Sequence, residues 1–192
     1  MKKKFSCLFF ACIAPFLLSG CPAAVVLSGA SGAAVINDER STGSFVEDYA
    51  IELKMRVQLS SDIDSNVNIS ITSYNRRLLL TGQAPTEALR QQVIDIAENI
   101  ENVREILNQI EIAGAASLSS QASDSALTAR VKAALCSIQI EDFSCLDVKV
   151  VNEKGVVYLL GLVNKKQAAT AINTTRKIRG VVKVVKAFEF RE

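Results

Sequence analysis

No histidine and no tryptophan occur anywhere in the 192 residues. The first absence removes the commonest general base and the commonest metal ligand together. No Cys/His metal set can then form, and no nucleophile has a base beside it in sequence. Phosphate-loop and dinucleotide spacings are missing too: Gly29-Ala30-Ser31-Gly32 has no Lys-Ser/Thr after it and no strand before it. A dominant charge is also lacking. The formal net charge is +2, but Lys2, Lys3 and Lys4 fall in a segment expected to be removed, leaving nineteen bases against twenty acids. Nothing global points to nucleic acid. The loop acids Asp62, Asp64, Glu141 and Asp142 read as solvated carboxylates. These absences describe a binding module rather than an enzyme, with no metal, no cofactor and no small-molecule substrate. What is present, 49% hydrophobic and 22% charged residues, suits a packed domain.

The strongest positive signal is an internal repeat. Leu78-Leu79-Leu80-Thr81-Gly82 and Val157-Tyr158-Leu159-Leu160-Gly161 are two apolar runs, each ending on glycine and each followed by a helical pattern. Ile51, Met55 and Leu59 precede the first as Leu127, Val131 and Leu135 precede the second, at the spacing of an amphipathic helix. In the first copy, Val67, Ile69 and Ile71 alternate with polar residues as a half-buried strand, and Tyr74-Asn75-Arg76 turns the chain. Leu78 to Leu80 suits a central strand. Pro85 opens a helix carrying Leu89, Val93, Ile96, Ala97 and Ile100, and Ile106, Ile110 and Ile112 form a third strand. The second copy runs through Val148 and Val150, the turn Asn152 to Gly155, the central strand Val156 to Leu160, a helix from Lys165 to Ile178, and Val182, Val184, Phe188 and Phe190.

The order is α-β-β-α-β, twice. The predicted fold class is α/β (an α+β sandwich) with two tandem units at 45–112 and 124–192, joined by an Ala/Ser/Gly linker at 113–123. Each unit is expected to be a three-stranded mixed sheet with two helices on one face, strand three parallel to strand two through a right-handed crossover. Gly82 and Gly161 fall where the central strand meets that crossover, and a positive φ or a close helix approach explains them better than a ligand does. Units this small have thin cores, so the two are expected to support one another.

These residues resemble the BON domain, a small envelope module marked by a glycine after an apolar strand. The whole chain is similar to outer-membrane lipoproteins of Gram-negative bacteria that carry two such domains. The resemblance implies recognition of anionic phospholipid and a part in keeping the outer membrane a barrier. A different class of function is a membrane-tethered scaffold that docks an envelope protein partner, such as barrel-assembly or peptidoglycan-remodelling machinery.

Residues 1–20 read as a secretory signal: three lysines, then an apolar core from Phe5 to Leu18, too short to span a bilayer. Leu18-Ser19-Gly20-Cys21 has the pattern of a bacterial lipobox, which implies cleavage before Cys21 and its acylation; several acyl chains, palmitate among them, anchor firmly. Pro22, in place of the aspartate that retains such proteins at the inner membrane, directs the expectation to the periplasmic face of the outer membrane. Residues 21–44, rich in Ala, Gly, Ser and Val, form a tether reaching about a few tens of Å. Cys7 and Cys12 leave with the signal, so Cys136 and Cys145 remain, bracketing a loop three residues longer than in the first unit. An oxidising periplasm favours a disulfide there over two buried thiols, contributing roughly 2–3 kcal/mol.

The halves are electrostatic opposites. Ser44 to Ile112 holds eleven acids and six bases, a net of −5, and Ser123 to Glu192 holds seven acids and twelve bases, a net of +5. The units should attract, and only the second suits an anionic surface. On the first helix of the second unit, Ala126, Ala129 and Ala133 form an apolar strip opposite the core face, flanked by Arg130 and Lys132. This is the favoured lipid-facing surface; other family members can carry a large aromatic near Ala126, so binding here should be more electrostatic. The rival is the later helix, with Lys166 and Lys177 and, beside them, Lys165 and Arg176. The matching strip of the first unit, Ala50, Leu53 and Val57, belongs to an acidic domain and reads as a packing surface.

Overall fold

The computed structural model describes residues 42–63, 67–114 and 118–191. The signal segment, Cys21 and most of the tether lie outside the described residues. The first unit comprises helix α1 (Thr42–Asp62), strands β1 (Asn68–Tyr74) and β2 (Arg77–Ala84), helix α2 (Glu87–Glu98) and strand β3 (Glu105–Ile112). The second repeats the order with α3 (Leu118–Cys136), β4 (Val148–Glu153), β5 (Val156–Val163), α4 (Lys165–Arg176) and β6 (Lys183–Phe190), plus a 3₁₀ turn at Cys145–Asp147 before β4. Two first helices start early: α1 takes in residues assigned to the tether, and α3 residues assigned to the linker. Short polar and small residues there carry no hydrophobic period, so the pattern alone could not place the helix starts.

Each sheet has its central strand antiparallel to the first strand and parallel to the third, in the orders β1-β2-β3 and β4-β5-β6. Both hairpins use two-residue turns in which each turn residue has positive φ, at Asn75 (50°) and Arg76 (62°) and at Lys154 (49°) and Gly155 (78°). That backbone matches the right-handed twist of the strands it joins. The crossover helices are capped from side chains. Thr86, the residue after Pro85, accepts from the Leu89 N–H, and Asn164 and Gln167 form a reciprocal capping box. Pro85 therefore precedes the cap and is not the first helical residue.

Alternation along the strands sorts the apolar residues into two sets. Leu78, Leu80, Ile71 and Ile110 pack with Ile51, Met55, Val93 and Ala97 under the helices of the first unit. Val157, Leu159, Val163 and Phe188 do the same with Leu127, Val131, Leu135 and Ala171 in the second. The opposite faces meet each other. Tyr74, Leu79, Tyr158, Leu160 and Ala187 form a third core, flanked by Leu107, Val151, Val156, Leu162 and Val185. The molecule is thus a four-layer sandwich, helices–sheet–sheet–helices, with the sheets back to back. The second half of β1 and the central strand β2 are covered on both faces as a result: Thr72 and Ser73 of β1 and Thr81 and Gln83 of β2 are all under 8% exposed.

Polar contacts seal the rim of the sheet–sheet interface. The Leu162 N–H donates to the Tyr74 hydroxyl (3.2 Å), Gln83 donates to Glu153 (2.6 Å), and Arg77 donates to the Ala187 carbonyl (2.8 Å). Asn75 and Arg104 both bind Glu189, while Lys154 binds Glu111 at 3.3 Å. Asn75 and Lys154 are equivalent turn residues, and Glu189 and Glu111 are equivalent strand-end acids. The interface is therefore close to two-fold symmetric within one chain. Lys149 adds a contact to Glu52 at 3.1 Å. Among the described residues, two of the three cross-unit ion pairs, those of Lys149 and Lys154, set a base of the second unit on an acid of the first, the attraction expected from the opposite net charges.

The two repeat glycines sit inside β2 and β5, two residues before the strand ends, rather than at the crossover. A Cβ built on Gly82 would lie 2.0 Å from the Asn68 carbonyl oxygen, and one on Gly161 2.4 Å from that of Asp147. What approaches Gly82 is the start of the antiparallel strand β1, and what approaches Gly161 is the end of the 3₁₀ turn that leads into β4; neither is a crossover helix. Gly82 also has φ +113°, closed to other residues, while Gly161 does not have positive φ.

Candidate functional site: the outer helical face of the second unit

α3 and α4 lie side by side on the outer face of the second sheet. Leu127, Val131 and Leu135 point inward and are at most 4% exposed, which turns Ala126, Ala129, Arg130, Lys132 and Ala133 to solvent. On α4, Gln167, Ala168, Ala171, Ile172 and Thr175 are buried, so Lys165, Lys166, Arg176 and the C-cap Lys177 are outward as well. Arg130 ties the helices together: its guanidinium donates to the Arg179 carbonyl at 3.0 Å, at the corner that follows α4. The two surfaces set against each other in the sequence thus adjoin, with the exposed Arg179 between them. Sequence reasoning did not single out Arg179; the run Arg176-Lys177-Ile178-Arg179 was its signal.

The electrostatics of this face are set by what its bases do not touch. Among the described residues, no ion pair involves Arg130, Lys132, Lys165, Lys166, Arg176, Lys177 or Arg179. The equivalent face of the first unit differs. Lys54 and Arg56, in the places of Arg130 and Lys132, pair with Glu101 (2.8 Å) and Glu52 (3.1 Å). The Glu101 hydrogen bond raises the Lys54 pKa, and Lys54 holds Glu101 below the usual carboxylate range. Repeat alignment through the core places Thr128 at the position of Glu52 and Arg179 at the position of Glu101. Two acids of the first unit are therefore replaced by a neutral and a basic residue in the second, and the bases lose their partners.

The apolar strips have diverged as well. Ala122, Ala126, Ala129 and Ala133 of α3 stand where α1 has Val46, Ala50, Leu53 and Val57. The α1 strip is large and open: Val46 is 61% exposed, Tyr49 64%, Leu53 49% and Val57 58%. The sequence pointed to Ala50, Leu53 and Val57; Tyr49 widens the strip and Val46 extends it by about one turn.

The second unit is fastened at one further place. Cys136, closing α3, and Cys145, opening the 3₁₀ turn, are joined by a disulfide with Cα atoms 4.7 Å apart. Asp147 then caps that turn, accepting from the Ser144 N–H at 2.9 Å. Two acids missed in the sequence hold the hairpins. Asp48 accepts from the backbone N–H of Asn75 and Arg76 and from the Ser73 hydroxyl, each at 2.7 Å. Asp124 does the same for Lys154 (2.9 Å), Gly155 (3.3 Å) and the Asn152 amide (2.9 Å). Among the described residues no group of three or more His, Cys, Asp or Glu is placed to hold a metal, and no helix is long and apolar enough to cross a membrane.

Comparison with known proteins agrees with the repeat. The BON domain matches twice, over residues 48–114 and 123–192. The chain is 35% identical over 179 residues to "Outer membrane lipoprotein DolP" of Haemophilus influenzae, covering 92% of each chain. It is 32% identical to the "21 kDa hemolysin" of Actinobacillus pleuropneumoniae, over 80% of this chain and 79% of that one. It is 26% identical to "Osmotically-inducible protein Y" of Escherichia coli, over 81% and 78% respectively.

Proposed function

The chain belongs to the BON-domain family of two-domain envelope lipoproteins, and from that premise we propose that it binds anionic phospholipid at the periplasmic face of the outer membrane. In this reading the protein is non-catalytic. An acylated Cys21 anchors it, and its role is to support the integrity of that membrane. The relative named as an outer membrane lipoprotein supports the location. The observation that carries the lipid reading is the continuous set of bases without acid partners on the outer face of the second unit, against paired bases at equivalent places in the first. Cations near an anionic bilayer each contribute about 1 kcal/mol at low salt. The alanine strip between them permits close approach without deep insertion.

The test is vesicle flotation of the unacylated chain, Cys21→Ser and beginning at residue 21. It should float with anionic vesicles, not with neutral ones, and fall away as salt rises. Reversing Arg130 and Lys132 to Glu changes the surface charge by four. On the same scale that costs about 4 kcal/mol, enough to abolish flotation while leaving the circular dichroism unchanged. Flotation that survives this change but is lost on reversing Lys166 and Lys177 would move the contact to α4. Binding indifferent to lipid charge would favour the scaffold reading.

A further inference from the structure

The strip on α1 is a second surface, and the lipid reading does not use it. The sheets are back to back, so α1 and α3 lie on opposite outer faces of the sandwich, and one flat membrane cannot meet both. Val46, Tyr49, Leu53 and Val57 therefore remain open when the second unit faces lipid. Four large apolar side chains, each between 49% and 64% exposed along one helix face, form a contiguous patch of the kind that marks an interaction site.

The charges beside the strip indicate what covers it. At 100° per residue, Glu47 and Lys54 fall on the same shoulder of the strip, two turns apart and opposite in sign. A second copy of the helix laid antiparallel across the strip brings Lys54 of each copy to Glu47 of the other. The same register drops Val46 of one copy between Leu53 and Val57 of the other, the ridge-into-groove fit that helix pairs use. Such a contact is isologous: it is made twice and closes on itself. Lys54 already pairs with Glu101, but that pair is exposed, with side chains 45% and 81% accessible, and exchanges at little cost. On α3 the strip is alanine, so the equivalent face of the second unit lacks the side chains that would interlock.

We propose that the α1 strip is the contact surface for a second copy of this chain, giving a closed antiparallel dimer through the first unit. One helix pair is at the small end of protein interfaces, so the dimer is a weak one.

Sedimentation of the unacylated Cys21→Ser chain across a wide concentration range tests this. The expected result is a concentration-dependent monomer–dimer equilibrium. Leu53→Asp, at an outward position, should raise the dissociation constant at least tenfold with an unchanged circular dichroism spectrum. Glu47→Lys and Lys54→Glu should each weaken the homodimer, while an equimolar mixture of the two should dimerise, because each copy then offers the charge the other needs. A chain that stays monomeric at every concentration overturns the proposal. So does a dimer indifferent to Leu53→Asp, or a mixture no tighter than its components. If Leu53→Asp alters flotation with neutral vesicles and not sedimentation, the strip faces lipid and the second copy is wrong.

Discussion

Replacing Gly82 by alanine tests most directly why the repeat carries a glycine in its central strand. Two costs add. With φ at +113°, an alanine sits in a backbone region that side-chain-bearing residues avoid, which costs about 1–3 kcal/mol. The new Cβ would also lie 2.0 Å from the Asn68 carbonyl oxygen. Relief needs more than about 1 Å of movement by a backbone atom, not a side chain, since packed atoms do not approach so closely. Moving Asn68 loosens the pairing of Asn68 with Gln83 and Ile69 with Gly82, at about 1 kcal/mol per hydrogen bond. The sum is about 3–5 kcal/mol, a large part of what holds a small domain together. Gly161 separates the two terms, because its Cβ would meet the Asp147 carbonyl at 2.4 Å but its φ is not positive. Gly161→Ala should therefore cost only about 2–3 kcal/mol. Gly114, where nothing lies within 4 Å of an added Cβ, is the control and should change stability by less than about 0.5 kcal/mol. Urea unfolding followed by circular dichroism reads all three. A Gly82→Ala loss below about 1 kcal/mol, or one no larger than that of Gly161→Ala, would refute the reasoning.

Cutting the Cys136–Cys145 link, by reduction or by Cys136→Ser with Cys145→Ser, releases a loop with a sequence separation of 9. The expected loss is about 2–3 kcal/mol; thermal unfolding with and without reductant measures it, and two alkylatable thiols in oxidised material would contradict the bridge. Asp48→Ala removes the acceptor of three hydrogen bonds in the first hairpin. A loss of about 2–3 kcal/mol is expected, since buried donors are left without a charged partner, and Asp48→Asn should recover only part of it in urea titrations. Tyr158 supplies a pH effect. Burial, with Glu111 and Glu153 adding to it, pushes its phenol up to about 12. A folded-state pKa above the unfolded one near 10 means that the neutral phenol's contribution is intact below pH 10 and is lost as pH rises towards 12. The stability gap between wild type and Tyr158→Phe should therefore shift in favour of the phenylalanine across that window. A constant gap would show that Tyr158 ionises as freely folded as unfolded.

The repeat, the order of elements and the strand pairing were legible because each rests on local pattern. Alternation in Val67 to Thr72, four-residue spacing in Ile51 to Leu59, and glycine after an apolar run are all short-range signals. The continuous runs Leu78 to Leu80 and Val156 to Leu160 held more, since a central strand apolar on both sides needs cover on both sides. The expectation that the units pack together rested instead on their thin cores. It could not show that the sheets meet back to back, because the first strands read as polar on one side. Thr72, on the polar side of that alternation, looks solvent-facing in sequence and is buried. The hairpin clamps were invisible for another reason: Asp48 is 27 positions from Asn75, and nothing local marks an acid that reaches a distant turn. At the lipid-facing surface the residue types were legible and their pairing was not. Arg130 and Lys54 look alike until Glu101 is seen beside one and Arg179 beside the other.

That difference shows how one fold serves two surfaces. A duplicated unit with a two-fold interface starts with two equivalent outer faces, and equivalent faces on opposite sides of a sandwich cannot both serve one membrane. Divergence at a few outward positions resolves the conflict without touching the core. In the first unit the strip is large and its bases are neutralised by Glu52 and Glu101. In the second it is alanine, with Thr128 and Arg179 at those two positions. Each change lies on a solvent-facing or rim position, where substitution costs little stability. The interface positions tell the opposite story. Equivalent turn residues Asn75 and Lys154, though of different type, still meet equivalent acids Glu189 and Glu111. The symmetric part of the molecule is therefore what holds it together, and the asymmetric part is where its function is to be sought.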